Sequence, residues 1–221
     1  MAFDRGPSGQ DVAMPVVTIS ASYGAGGSQI GPRLAERLGV AFLDRAIPTA
    51  VAERLAIPLA DALAHDEAVR SVLERLLVHF APAAQAFSGA SPPPELLDER
   101  SYLRVTEQVI RERAADGMVV LGRAAALVLR DEPGALHVRL DGPREHRVRQ
   151  AMELEGVDRE TAERHMQETD RARETYVRQF YDAEAGDPHL YHLVLDSTAL
   201  TLDACVELIA LATAARADQA S

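Results

Sequence analysis

Short, almost wholly apolar runs recur along the chain: Val16–Ile19, Val40–Leu43, Met118–Leu121, Ala135–Leu140 and Leu193–Leu195. Runs that are apolar at successive positions, not alternate ones, read as strands buried on both faces, the condition of a parallel sheet. Between them the apolar spacing is helical. Ser28 to Leu38 places Ile30, Leu34, Arg37 and Leu38 on one side, with Gly39 as a C-terminal cap and Pro32 early enough to be tolerated. Helical spacing also covers 46–55, 59–80, 99–115, 124–130 and a segment opening at Pro143 that carries Arg144, Arg147 and Arg149. Asp158 can cap a charged helix reaching Tyr181, and a last helix runs from Leu202 to about Ala215. Strands separated by helices predict an α/β fold, a five-stranded parallel sheet covered on both faces and joined by right-handed crossovers.

The first strand runs into Ser22-Tyr23-Gly24-Ala25-Gly26-Gly27-Ser28 and then directly into a helix. Glycines admit positive φ, so successive N–H groups can converge on an anion at the helix N-terminus. Set against the phosphate-loop pattern G-x-x-x-x-G-K-[ST], Ala21 stands for the first glycine and Gly26 for the second. Gly27 stands for the lysine, and Ser28 for the residue whose hydroxyl meets Mg²⁺. The alternative is a structural turn between a core strand and a helix.

Ligands of an open parallel sheet bind outside the carboxyl ends of its strands. There the chain carries Asp44-Arg45, Gly122-Arg123 and Asp141. Arg123 offers a bidentate donor to phosphate oxygens, or pairs with a neighbouring carboxylate. Asp44 suits a water-bound metal or a substrate hydroxyl, or caps a helix. Arg164, Arg171 and Arg178 recur every seven residues along the charged helix, as a solvated face with Glu–Arg pairs also would.

Composition narrows the function. The 221 residues carry a formal net charge of −11, with 5% aromatic residues and no Trp, which argues against a nucleic-acid polymer as partner. No run reaches the length of a membrane span, and nothing near the N-terminus reads as a signal peptide. Cys205 is the single cysteine, in an apolar helical pattern that suits a buried thiol. These features give a cytoplasmic expectation. The expected organisation is a flexible leader over 1–14 and one domain over 15–216. Residues 81–94, rich in Pro, Ala, Ser and Gly, read as a mobile loop within it.

Four motifs occur in order: S-x-x-Y-G-x-G-G-S from Ser20, V-V-L-G-R ending at Arg123, T-D-R-x-R-x-x-Y from Thr169, and D-P-x-x-Y-H-L-V-L-D-S from Asp187. Together, over roughly 16–214, they resemble the cytidylate kinase-like family of P-loop nucleoside monophosphate kinases. That resemblance implies a P-loop NTPase-type three-layer fold with sheet order 2-3-1-4-5. It also implies a helical acceptor-side region over 45–115 and a helical lid over 157–186. It further implies ATP and Mg²⁺, with Ser22 to Ser28 around the ATP phosphates and Ser28 at the metal. The acceptor would be a nucleoside monophosphate, CMP or dCMP, held by Asp44, Arg45 and Arg123. Arg171 and Arg173 would be the catalytic lid arginines; their separation of two puts them on different helix faces, so one is expected to face the nucleotide and the other solvent or an acidic neighbour. The loop at Asp196-Ser197-Thr198 would lie near adenine. The sequence departs from authentic cytidylate kinases at Gly27, where they have lysine, and at Leu121 and Ala124, where aspartates flank the Gly-Arg pair. The alternatives are a P-loop kinase for another small acceptor and a nucleotide-binding regulator without turnover.

Overall fold

The computed structural model describes residues 14–44 and 99–220. The expectations for 1–13, for Arg45 and for the segments between it and residue 98 lie outside the described residues. The strands are β1 (Val16–Ala21), β2 (Ala41–Leu43), β3 (Met118–Leu121), β4 (Leu136–Asp141) and β5 (Leu193–Asp196). They form one parallel sheet in the order β2-β3-β1-β4-β5, as expected from the family resemblance. The helices are α1 (Gly27–Leu38), α2 (Glu99–Ala114), α3 (Ala125–Val128), α4 (Arg144–Glu155), α5 (Arg159–Tyr181) and α6 (Leu202–Ala220). The last continues past the expected boundary at 216.

Side chains alternate across the sheet, and both faces are apolar near its centre. Val17, Ile19, Ala21, Val119, Val138 and Leu140 form one core with Ile30 and Leu34 of α1 and Cys205 and Ile209 of α6. Val16, Met118 and Val120 meet Val109 and Ile110 of α2 and Val128 of α3 on the other face. Arg37 does not join the buried face of α1. It is exposed and forks onto Glu207 of α6 at 2.9 and 3.2 Å, because the 3.6-residue period turns position 37 to the edge of the stripe that Ile30 and Leu34 fill. A small core joins α4 to α5 through Val148, Ala151, Ala162 and Met166, so the charged helix is fastened to the body of the domain. Among the described residues no helix is long and apolar enough to cross a membrane.

One polar feature lies inside the sheet. Thr18 Oγ1 is 2.9 Å from His137 Nδ1 across β1 and β4, and His137 stacks on His192 with ring centroids 4.8 Å apart. Burial, then the neighbouring His192 and Arg216, lower His137 to about 4. Its unfolded value lies near 6.5, so the unfolded chain takes the proton first and stability falls as pH drops from about 6.5 toward 4. Unfolding midpoints in urea across that range should show this slope in the wild type and a much flatter one in His137→Gln. Equal slopes would contradict the reading of His137 as a neutral buried ring.

Candidate functional site

The loop between β1 and α1 is shaped by two left-handed glycines, Gly24 at φ 77° and Gly26 at φ 72°. At Gly24 even a methyl group would overlap the backbone carbonyl of Arg147, so the loop lies directly on the first turn of α4. Ser22 N–H donates to Leu140 O and Ala25 N–H to Ser22 O. The N–H groups of Gly24, Gly26, Gly27 and Ser28 have no acceptor among the described residues, although Gly26 and Gly27 are buried. Unpaired N–H groups on buried residues are costly unless a ligand accepts them. At a helix N-terminus that ligand is an anion. The Ser28 hydroxyl is exposed beside them, free to reach a divalent cation that accompanies it. The loop therefore fits a magnesium-bound polyphosphate.

The loop is clamped from outside. Asp170, on α5, accepts the Tyr23 N–H at 2.8 Å through Oδ1 and takes Arg147 Nη1 at 2.6 Å through Oδ2. The same Arg147 nitrogen donates to Tyr23 O at 3.0 Å and its Nε to Gly142 O. Both backbone polar groups of residue 23 are thus held by one ion pair. From the far side the buried Ser197 hydroxyl donates to Ala25 O at 2.7 Å. This is the part played by the Asp196-Ser197-Thr198 loop that the structure displays.

Arg139 and Asp141 project from β4 into the same space. Arg139 forks onto Asp141 at 2.8 and 3.2 Å, donates to Ala185 O at 2.8 Å and gives an Nη2 hydrogen to Ser22 Oγ at 3.1 Å. Burial raises the Asp141 carboxyl, but the Gly142 N–H and Arg139 outweigh it and leave the group below its ordinary value. Ser20, Ser22, Arg139, Asp141, Arg147, Asp170, Arg171, Arg173 and Glu174 line a cavity of about 350 Å³ under α5. Its four guanidinium groups outnumber its three carboxylates in a chain whose net charge is −11.

Arg171 and Arg173 both reach this cavity. Asp170 and Glu174 line it from the same helix, one turn apart. Arg173 also comes within 3.7 Å of Asp170. Arg123 is placed elsewhere along the strand ends. Gly122, Arg123 and Ala124 all have positive φ, at 75°, 58° and 50°, which is strained backbone for the last two. Burial pushes the Arg123 guanidinium down from its usual range, opposed by Tyr176 and Asp44 nearby. Asp44, Arg123 and Tyr176 are thereby gathered into a second cluster. It extends through Tyr181, whose hydroxyl donates to Glu107 of α2 at 3.0 Å. The sequence reading did not single out Arg139, Asp170 or Glu107. For Arg139 the signal was present in the alternation His137, Arg139, Asp141 along a strand otherwise apolar. The pairing of Asp170 with residue 23 has no local signature.

Residues 16–199 match the cytidylate kinase-like family, and the chain belongs to it. Among curated relatives, cytidylate kinase of Methanopyrus kandleri is 33% identical over 102 residues, 42% of this chain and 53% of that protein. A uronate isomerase of Corynebacterium glutamicum is 32% identical over 100 residues, 45% of this chain and 19% of that protein. The matches thus span about half and about a fifth of these relatives' lengths. Among solved structures, an uncharacterized protein from Eubacterium ventriosum superposes with a TM-score of 0.64 at 18% identity, covering 92% of this chain and all of that one. A gluconokinase from Sinorhizobium meliloti gives 0.50 at 16% identity, covering 95% and 97%. At these identities the likeness is one of fold.

Removing either half of the loop clamp should cost stability. Arg147→Ala and Asp170→Ala are each expected to lower unfolding free energy by about 1–3 kcal/mol, the cost of orphaning a partly buried partner. The double variant should lose clearly less than their sum in urea denaturation, since the second change removes no intact pair. Strict additivity would show that the two side chains act independently.

Proposed function

We propose that this member of the cytidylate kinase-like family is an ATP-dependent phosphotransferase whose acceptor is a nucleoside monophosphate, CMP or dCMP. The observation that carries the reading is the junction of two parts. A loop with unsatisfied N–H groups opens beside a cavity in which guanidinium groups are in excess. Phosphoryl transfer asks little covalent chemistry of the protein; positioning and charge neutralisation do most of the work.

In this reading the N–H groups of Gly24, Gly26, Gly27 and Ser28 hold the donor's phosphates, with Tyr23 and Ala25 fixing the loop between them. The Ser28 hydroxyl holds Mg²⁺, which when bound offsets the charge of the β- and γ-oxygens. Arg171 and Arg173 cover the cavity from α5 and meet the equatorial oxygens of the transferred group, so 157–186 acts as the lid. The acceptor's phosphate lies at Arg123, with Asp44 orienting it from the end of β2; Arg45, next in sequence, is the third residue assigned to the acceptor. An acceptor phosphate oxygen attacks the γ-phosphorus in line, forming the new P–O bond as the bond to the β,γ-bridging oxygen breaks and ADP leaves. A cytoplasmic setting suits nucleotide substrates and the single buried cysteine. One observation favours a second reading, a nucleotide-binding regulator without turnover: Gly27 stands where the phosphate-loop lysine belongs.

ADP release from ATP and Mg²⁺, followed across a panel of nucleoside monophosphates and small hydroxyl acceptors, separates these readings. Turnover is expected with CMP or dCMP. Arg123→Ala should raise the acceptor's KM about 10- to 100-fold, as for a lost charge-assisted contact, and leave that for ATP within about twofold. Equal effects on both substrates would return Arg123 to a structural pairing with Asp44. ATP binding without transfer to any acceptor would favour the regulator.

A further inference from the structure

Gly27 opens α1, and its surroundings decide what can stand there. A Cβ built on Gly27 would lie 2.7 Å from the Cβ of Ala21 and 3.1 Å from Leu121 Cδ1. The Ala21 methyl is fixed to the β1 backbone and cannot swing aside. Ala21 is itself the residue that occupies the first glycine position of the loop pattern. The two departures are therefore one physical change. The space that a lysine's first carbon fills in the usual pattern is filled here from the strand side. With Ala21 present, no side chain fits at 27 without displacing β1 from the loop. The chain contains no lysine at all, so any cation serving the loop is an arginine or a histidine.

Arg139 meets the requirement best. It stands on β4 directly opposite Ser20 of β1, and its side chain is 14% exposed. Its contact with the loop is a single hydrogen bond to the Ser22 hydroxyl. That partner is neutral, so a phosphate oxygen can take its place with a gain in charge. Asp141, the Ala185 carbonyl and the Tyr191 ring, 5.8 Å from the guanidinium carbon, keep the fork aimed at the loop while leaving it there. Arg147 is bound differently, to the Tyr23 and Gly142 carbonyls and to Asp170, and those bonds hold backbone in place. Arg171 and Arg173 approach from α5 on the outer side of the cavity, and Arg173 remains 47% exposed.

We infer that Arg139 is the loop cation of this chain, contacting the γ-phosphate of the bound triphosphate in place of the lysine that Ala21 excludes from position 27. The inference rests on the phosphotransferase reading, and it concerns which residue reads the terminal phosphate, whichever acceptor is used. Asp141 acts as its positioning residue.

Calorimetry with ATP and with ADP, both with Mg²⁺, tests it, because the ratio of the two affinities reports the γ-phosphate contact and is insensitive to general loosening of the fold. The wild type should prefer ATP, and Arg139→Gln should reduce that preference tenfold or more. Adding Ala21→Gly and Gly27→Lys to Arg139→Gln should restore most of it, since the lysine then has both room and a role. Arg139→Lys, which keeps the charge and the fold should the glutamine variant not fold, should retain more of the preference than Arg139→Ala. An unchanged ATP-to-ADP ratio in the Arg139 variants, beside a wild type that binds ATP, overturns this inference and leaves the phosphotransferase reading standing. A wild type that binds neither nucleotide overturns both.

Discussion

A single carboxylate, Asp170, ties the loop, α4 and α5 into one unit. Its two oxygens take the Tyr23 N–H and the Arg147 guanidinium, and Arg147 returns a hydrogen bond to the Tyr23 carbonyl. A loop rich in glycine has a high conformational entropy to lose, so its shape needs an external template. Here that template is an ion pair whose arginine side chain is 13% exposed, shielded enough for the charges to act on each other with little screening. The steric fit at Gly24 works to the same end by bringing the loop onto the Arg147 backbone. Movement of α5 cannot occur without releasing residue 23. Any displacement of α5 is therefore coupled to the shape of the loop.

The same pairs solve an electrostatic problem. Four arginines converge on one small cavity, and like charges so placed would repel strongly if bare. Asp141 lies between Arg139 and Arg147, and Asp170 between Arg147 and Arg173. Arg139, Arg147 and Arg173 each lie against a carboxylate that offsets their charge. The lining retains one positive charge in excess, which an entering anion offsets. In a chain whose net charge is −11, the cavity is a local concentration of positive charge.

Most of the fold is legible in the sequence because it rests on local periodicity. The continuous apolar runs mark the parallel strands, Gly39 and Gly156 end their helices in left-handed caps, and Asp158 accepts the Thr161 N–H as its spacing suggests. The glycine loop is legible for the same reason. The site is only partly so. Arg123 was visible as the residue that ends an apolar strand, and Asp44 as a polar strand end near it. The roles of Arg139 and Asp170 depend on contacts across 117 and 147 positions of sequence, which no spacing rule encodes. The helical period separates Arg171 from Arg173, but the pairing of Arg173 with Asp170 is a matter of side-chain reach that the period does not give. Gly27 looked like a simple loss of lysine; only packing against Ala21 shows it to be one half of an exchange.

In the proposed function the backbone of the loop from Gly24 to Ser28 receives the phosphates of a nucleoside triphosphate. A titration of ¹⁵N-labelled protein with ATP and Mg²⁺, followed through its amide resonances, tests this most directly. Large downfield proton shifts are expected at Gly24, Gly26, Gly27 and Ser28 as their N–H groups gain charged acceptors. Little change is expected at Ser22, whose N–H already donates to Leu140. Shifts confined to other parts of the molecule, with the four loop amides unmoved at saturation, would contradict that reading.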